Sequence, residues 1–361
     1  MKKIFEERIN LIRKNLDENN CDAILVNKGS DVFYYTGFNA AGDKATLLIL
    51  KDKLYFITDG RFVDQFKNEV EGFELLQNKV LGDTYLLLND LVNKENIKSL
   101  LLSFNDISYK NSKEIELDKL EIKDTGNLFH ENRRVKNKEE LEATRVACKI
   151  NEEAFMATLE QIKEGQTEKE IRNILNNELM KRGSEGFAFP TIVGSGPING
   201  ALPHAIPTDR KVEEGDFVTI DFGALYHRYS ADNTRTIAIG KVDDELKKIY
   251  QIVLETKNEC EKLVKPGVMA RDVHNYAANK IKEAGYELPH GLGHGIGIDN
   301  HELPRLNNAY DKAFKVNDLH TIEPGIYVLG KGGVRIEDDY RVTEDGVENL
   351  TPNITTELIT I

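Results

Sequence analysis

Cysteine is scarce in this chain. Cys21, Cys148 and Cys260 are odd in number and far apart, and none sits in a CxxC pair. That argues against a disulfide scaffold or a thiolate metal knuckle and fits reduced thiols in a cytoplasmic protein. Long apolar runs are missing too. The opening stretch, MKKIFEERINLIRKNLDENN, is charged throughout, so it lacks the core of a secretory signal, and no later segment approaches a membrane span. Basic residues are the minority: 48 Lys and Arg stand against 61 Asp and Glu, and the net charge of −13 disfavours nucleic acid or an anionic membrane as a partner. No segment is low-complexity.

What is present suits a globular chain of two or three domains. It is 361 residues long and 40% hydrophobic, enough for a sizeable core. Phe5, Ile9, Ile12 and Leu16 recur at helical spacing. Apolar strands are expected at Ala23–Val26, Ala45–Leu50, Leu54–Thr58 and Ser99–Phe104, with helices near Arg61–Val70 and Thr84–Asn93 between them. This alternation predicts an α/β domain over residues 1–125. That stretch holds no cluster of His, Cys or Asp. Tyr34, Tyr35, Phe38 and the Asp59-Gly60-Arg61-Phe62 turn read as core and turn residues, or as lining for a neighbour's cleft. A charge-rich stretch, Lys113–Asn137, marks the boundary, with residues 126–137 expected as a linker and a second domain over 138–361.

The second domain opens with helices predicted at Glu139–Ile162 and Glu168–Arg182, the latter stopped by Gly183. After Phe187–Val193 and a Gly/Pro/Asn loop to Pro207 comes a hairpin pattern, Asp216–Ile239. Helices follow near Asp244–Val264 and Ala270–Ala284, then a Gly/His-rich loop and a second hairpin, Thr321–Val342. In the first hairpin Val218, Ile220 and Phe222 alternate with Phe217, Thr219 and Asp221, a period of two. With Tyr226-His227 as its tip, Asp221 faces Asp232. Two like charges paired across strands repel, unless a cation lies between them. In the second hairpin Gly330, Gly332 and Gly333 supply the turn, and Glu323 and Glu337 fall near one another across it.

The two hairpins are related. A shift of 102 positions carries Lys163-Glu164-Gly165 onto Lys265-Pro266-Gly267, Gly183 onto Gly285, and Asp221-Phe222-Gly223 onto Glu323-Pro324-Gly325. Two halves about a pseudo-twofold would bring four carboxylates to one cleft. The segment from His290 through His294 and His301 to Pro304 holds three histidines among glycines. Those glycines argue against a helix and for a loop or bent strand wrapping a site. His204 lies in a comparable loop. Taken singly, His130, His227, His274 and His320 read as ordinary core or surface residues. Four carboxylates and one imidazole balance two divalent cations, and such a pair activates water for hydrolysis. The oxygen-rich set suits Mn(II), with Co(II) or Zn(II) as alternatives. Arg335 and the remaining histidines are left as donors for an oxyanion.

The DFG with an Asp eleven residues after its own, GHGIGxxxHExP, TIEPGIY and GVRIEDD together resemble the metallopeptidases of the pita-bread fold, nearest to the Xaa-Pro peptidases, prolidase and aminopeptidase P. The likeness is dense from Asn132 onward. Residues 1–125 more loosely resemble the family's creatinase-type N-terminal domain. The resemblance implies an α/β creatinase-like domain followed by an α+β pita-bread catalytic domain with an internal pseudo-twofold repeat. It implies metal ligation by Asp221, Asp232, His294, Glu323 and Glu337, with Asp232 and Glu337 bridging and Glu323 also the general base. His204 and His301 resemble proton donors and stabilisers of the intermediate, and His290 a residue lining the substrate cleft. Arg335 resembles an arginine that orients its neighbours, and Arg305 one that binds the substrate's C-terminal carboxylate. A proline-containing di- or oligopeptide substrate, cut before proline by a metal-bridging hydroxide, and a homodimer are implied as well. Dipeptidase and aminopeptidase both stay open here. So do a methionine-aminopeptidase-like enzyme and a non-catalytic peptide- or partner-binding protein on the same scaffold. The chain departs from the family pattern in three places: Arg228 where Gly is common, Ala231 where Ser often precedes the second Asp, and Asn317-Asp318-Leu319-His320 in place of a Gly-and-apolar run.

Overall fold

A computed structural model describes residues 1–39, 44–79, 84–115 and 120–361. The chain divides into two compact units, Met1–Asn132 and Arg133–Ile361. Residues 116–119 of the charge-rich stretch lie outside the described residues. The division falls inside the 126–137 stretch, much of which is a helix. Among the described residues no helix is long and apolar enough to cross a membrane.

The first unit is built on a mixed sheet. Its strands are β1 (Ala23–Val26), β2 (Ala45–Leu50), β3 (Leu54–Asp59), β4 (Glu74–Asn78), β5 (Ser99–Leu102) and β6 (Glu121–Asp124), ordered β4-β3-β2-β1-β5-β6. β1 and β2 are buried along their whole length, which is why they read as unbroken apolar runs. The edge strands β4 and β6 escape the sequence reading because an edge needs no such run: ELLQN and EIKD are polar and half exposed. The helices are α1 (Lys3–Glu18), α2 (Gly29–Thr36), α3 (Val63–Glu69), α4 (Thr84–Lys94), α5 (Tyr109–Glu114) and the start of α6 (Leu128–Arg134), whose last two residues belong to the second unit. Tyr34, Tyr35 and Phe38 are buried in this unit. Arg61 closes the Asp59 turn with a paired contact at 2.9 and 2.7 Å, which holds the Asp59 carboxyl down at about 2.

The second unit repeats one plan twice. Its first half comprises α7 (Lys138–Leu159), α8 (Glu168–Lys181), β7 (Ile192–Ser195), β8 (Phe217–Phe222), β9 (Leu225–Tyr226), β10 (Tyr229–Ser230) and β11 (Asn233–Ala238). Asn137 with Glu140, and Thr167 with Glu170, form reciprocal capping boxes that start α7 and α8. The second half comprises α9 (Asp244–Leu263), α10 (Ala270–Glu283), β12 (Gly293–Gly295), β13 (Glu302–Leu306), β14 (Leu319–Ile322), β15 (Gly325–Val328), β16 (Gly332–Arg335), β17 (Asp338–Val342) and β18 (Val347–Asn349). The shift of 102 survives in backbone geometry: Gly165 and Gly267 have φ of 82° and 87°, and Gly183 and Gly285 have 93° and 90°. The sheets run β11-β8-β7 and β13-β12-β14-β17-β18, with β10-β9 and β15-β16 as short ribbons. α7 packs on β8 through Phe155, stacked on Phe222 at 5.4 Å and 10°. Burying each such ring stabilises the fold by about 1.5–3 kcal/mol.

Candidate metal centre

β8 is the middle strand of its sheet, so Asp221 is flanked on both sides, by Ile192 of β7 and Thr234 of β11. Here the expected register needs correcting. The hairpin turns at His227-Arg228, both left-handed at φ 47° and 70°, and not at Tyr226-His227. Two positive φ values in a two-residue turn match the twist of the strands they join. Arg228 therefore does occupy the conformation that favours glycine. Every partner moves by two, and Asp221 faces Thr234. Asp232 becomes a diagonal neighbour, on the same face because strand side chains alternate.

The second hairpin keeps its expected register. β15 pairs with β16 and β14 with β17 in one continuous alignment, and Glu323 and Glu337 occupy the matched interruptions between the ribbons. Gly330 takes the turn at φ 87°, whereas Gly332 and Gly333 already lie in β16. The two hairpins then join. Glu337 N–H donates to the Thr234 carbonyl at 3.0 Å, and the Thr234 hydroxyl donates to Glu337 Oε2 at 2.6 Å.

His294 arrives on β12, squeezed between two other backbones. A Cβ on Gly293 would stand 2.2 Å from the Thr321 carbonyl oxygen, and one on Gly295 would stand 2.2 Å from that of Leu303. Only glycine permits this approach, so the Gly/His run is a bent strand, with a bulge between His294 and Gly295. His294 Nδ1 lies 3.0 Å from the Gly295 carbonyl. Donation there leaves Nε2 as the free lone pair, 3.5 Å from both Asp232 Oδ2 and Glu323 Oε1. Burial pulls the His294 pKa down to about 3, so the ring is neutral.

Asp232, His294 and Glu337 each offer a ligand atom within 4.8 Å of the others. Burial raises the carboxyls of Asp232 and Glu337 well above their usual range, and neighbouring carboxylates raise them further. Glu323 rises to about 8 through burial, against the pull of Arg335. Asp221 Oδ1 and Glu337 Oε1 are buried with no hydrogen-bond partner. Crowded, desolvated carboxylates with bare oxygens beside a neutral imidazole are what a divalent cation requires, so the residues present fit a metal site.

Arg335 ties this cluster to its surroundings. Its Nη2 donates to Asp221 Oδ2 at 2.6 Å and its Nε to Thr234 Oγ1 at 3.1 Å. Its Nη1 donates to the Pro203 carbonyl at 3.0 Å, steadying the loop that bears His204, and to Tyr327 Oη at 2.6 Å. Tyr327 Oη lies 3.1 Å from His290 Nε2. Burial lowers His290 to about 4 and raises Tyr327 to about 12. The His301 ring sits 3.9 Å from that of His294, and Arg305 faces His294 across the β12–β13 ladder. Every residue singled out from the sequence, His204, Asp221, Asp232, His290, His294, His301, Arg305, Glu323, Arg335 and Glu337, lines one cavity of about 1160 Å³.

Tyr327 and Asn300, which bonds Asp232 Oδ2 at 3.2 Å, escape the sequence reading. Tyr327 looks like any strand aromatic. Asn300 has only its place beside His301 to mark it. The departures at Asn317–His320 have concrete roles. Asn317 accepts from Arg341 Nε at 2.8 Å, Asp318 pairs with buried Arg134 at 2.5 Å, and His320 is buried between Phe314 and Tyr340.

Residues 142–344 match the metallopeptidase family M24, and residues 8–135 match the creatinase/prolidase N-terminal domain. The chain belongs to metallopeptidase family M24. Family membership implies divalent metal ions. The chain is 35% identical to the Xaa-Pro dipeptidase of Pyrococcus furiosus over 364 residues, which covers 96% of this chain and 98% of that one. Among solved structures it is similar to an Xaa-Pro dipeptidase from Bacillus anthracis (35% identity, TM-score 0.93, covering 99% and 100% of the two chains). It is equally similar in sequence to an X-Pro aminopeptidase from Thermotoga maritima (35% identity, TM-score 0.88, covering 98% and 99%). The two-domain fold with an internally repeated catalytic unit is that of this family.

Proposed function

We propose that the chain hydrolyses the peptide bond preceding proline, and that its substrates are free Xaa-Pro dipeptides. The observation that carries the sharper half is Arg305, which lines the carboxylate-rich cavity directly across the ladder from His294. A guanidinium there would take the C-terminal carboxylate carried by the second residue of a dipeptide. Proline has no amide N–H and a fixed φ, so the bond before it calls for a dedicated site.

In this reading Asp221, Asp232, His294, Glu323 and Glu337 hold two divalent cations, Mn(II) first and Co(II) or Zn(II) next. Ions bound there would supply Lewis acidity that activates water and polarises the scissile carbonyl. Glu323 receives the proton of the attacking water. His204 and His301 donate to the developing oxyanion and pass a proton to the proline nitrogen as it leaves. Arg335 holds Asp221 and the His204 loop in place, and His290 flanks the cleft through Tyr327. The reading includes a homodimer, by likeness to the family, and a cytoplasmic location, which the buried free thiols of Cys21, Cys148 and Cys260 support.

The test compares Ala-Pro with Ala-Pro-Ala under Mn(II), using the natural chain and Arg305→Met. The dipeptide is expected to be cut faster, and Arg305→Met to lower its kcat/KM by about 10- to 100-fold, as losing a charged hydrogen bond does. A preference for the tripeptide with a silent Arg305→Met points to an aminopeptidase. Absence of turnover together with absence of bound metal points to a binding scaffold.

A further inference from the structure

The turn Asp299–Glu302 leads into β13 and carries His301. One buried arginine grips both of its ends. Arg133 Nη2 donates to Asp299 Oδ2 at 2.7 Å, and its Nε lies 3.2 Å from Glu302 Oε1. Lys136 Nζ donates to Glu302 Oε2 at 2.8 Å, and Asp299 N–H donates to Oε1 at 3.2 Å. Arg133, Lys136 and Glu302 are all buried. A Cβ on Gly297 would stand 2.4 Å from Glu302 Oε2, so the chain leaves room for this carboxylate. Apolar side chains can often replace a buried ion cluster at no loss of stability. What the cluster fixes is geometric: the two residues between its anchors, Asn300 and His301.

Asn300 Nδ2 donates to Asp232 Oδ2 at 3.2 Å. A carboxylate that ligates a cation is ionised and only accepts, so in that state the amide nitrogen must face it and Oδ1 must point away. That Oδ1 is buried and has no hydrogen-bond partner. An orphaned buried acceptor weighs against the fold, and a leucine of similar shape would remove the penalty. The Asn300 side chain is therefore poor for stability with one good contact, and that contact is Asp232. The same Asp232 oxygen lies 3.5 Å from His294 Nε2.

We propose that Asn300 is a positioning residue of the cation site: the pinned turn aims its amide at Asp232, and that contact sets how tightly divalent ions are held. The inference rests on the reading of Asp232 as a ligand. Partners behind a ligating carboxylate orient it, and losing one typically weakens metal binding about 10- to 100-fold.

The experiment titrates Mn(II) by calorimetry into metal-stripped full-length protein, natural and Asn300→Leu, and records the metal-free melting temperature of each. Asn300→Leu should bind the same number of ions about 10- to 100-fold more weakly and melt at the same temperature or higher. Asn300→Val repeats the test with less volume should leucine not fit. Unchanged affinity in a folded variant overturns the proposal. So does weakened affinity accompanied by a lower metal-free melting temperature, which marks a merely structural residue. Absence of Mn(II) binding by the natural chain is a different failure: it overturns the ligand reading of Asp232, and this inference with it.

Discussion

The two carboxylate hairpins of the second unit share one ancestry in the sequence and reach one cavity by different means. The second turns at Gly330, and its ladder runs in one register on both sides of the break that holds Glu323 and Glu337. The first turns at His227-Arg228, and its two acids are staggered, Asp221 inside β8 and Asp232 between β10 and β11. In the second hairpin the acids are set opposite each other by register. In the first they are set by outside contacts: Arg335 on Asp221, and Asp339 Oδ2 accepting the Asp232 N–H at 2.8 Å. A duplicated ribbon can thus keep its chemistry while its alignment drifts, provided that neighbours take over the positioning.

The largest way to break this comparison is to remove one acid from each ribbon. Asp232→Ala and Glu337→Ala should each lower kcat/KM on a proline dipeptide by about 10³-fold or more, since groups that act as a unit fail together. Both variants should remain folded by circular dichroism and lose bound metal. Full activity in either would remove that acid from the site.

A middle-sized effect concerns His320, which the 102-residue shift sets against Val218 of the first hairpin. Both are buried, but neither His320 ring nitrogen has a partner, and burial lowers its pKa to about 3. The unfolded chain takes up that proton near pH 6.5, so the folded form loses stability as pH falls from about 6.5 towards 3, by up to about 1.4 kcal/mol per unit. His320→Val should flatten this acid limb in urea melts at pH 7, 6 and 5. An unchanged slope would show that the ring is protonated in the folded state.

The smallest effect lies at the turns. Gly330→Ala, at φ 87°, should cost about 1–2 kcal/mol, whereas Arg228→Gly should leave stability unchanged or raise it by less than about 1 kcal/mol. A fall in the denaturant midpoint of Arg228→Gly as large as that of Gly330→Ala would mean that the two turns are not under the same backbone constraint.

Much of this was legible in the residues alone. The carboxylates and histidines announce themselves because metal chemistry needs particular side chains, and glycines around His294 mark where backbones must touch. β1 and β2 announce themselves through burial on both faces. The first register was not legible: a left-handed two-residue turn normally advertises itself with Asn or Gly, and His227-Arg228 carry neither. β4 and β6 were hidden by polar edges. Tyr327 and Asn300 were hidden because their importance lies in what their polar atoms reach across the fold, and no local pattern encodes that.

The stretch 126–137, expected as a linker, has a practical consequence. Arg133, Arg134 and Lys136 are buried against Glu302, Asp299 and Asp318 of the second unit. A fragment begun at residue 138 would strand those acids without their cations inside a low-dielectric interior. Anyone excising the peptidase half should therefore begin the fragment ahead of Arg133, or expect an insoluble product.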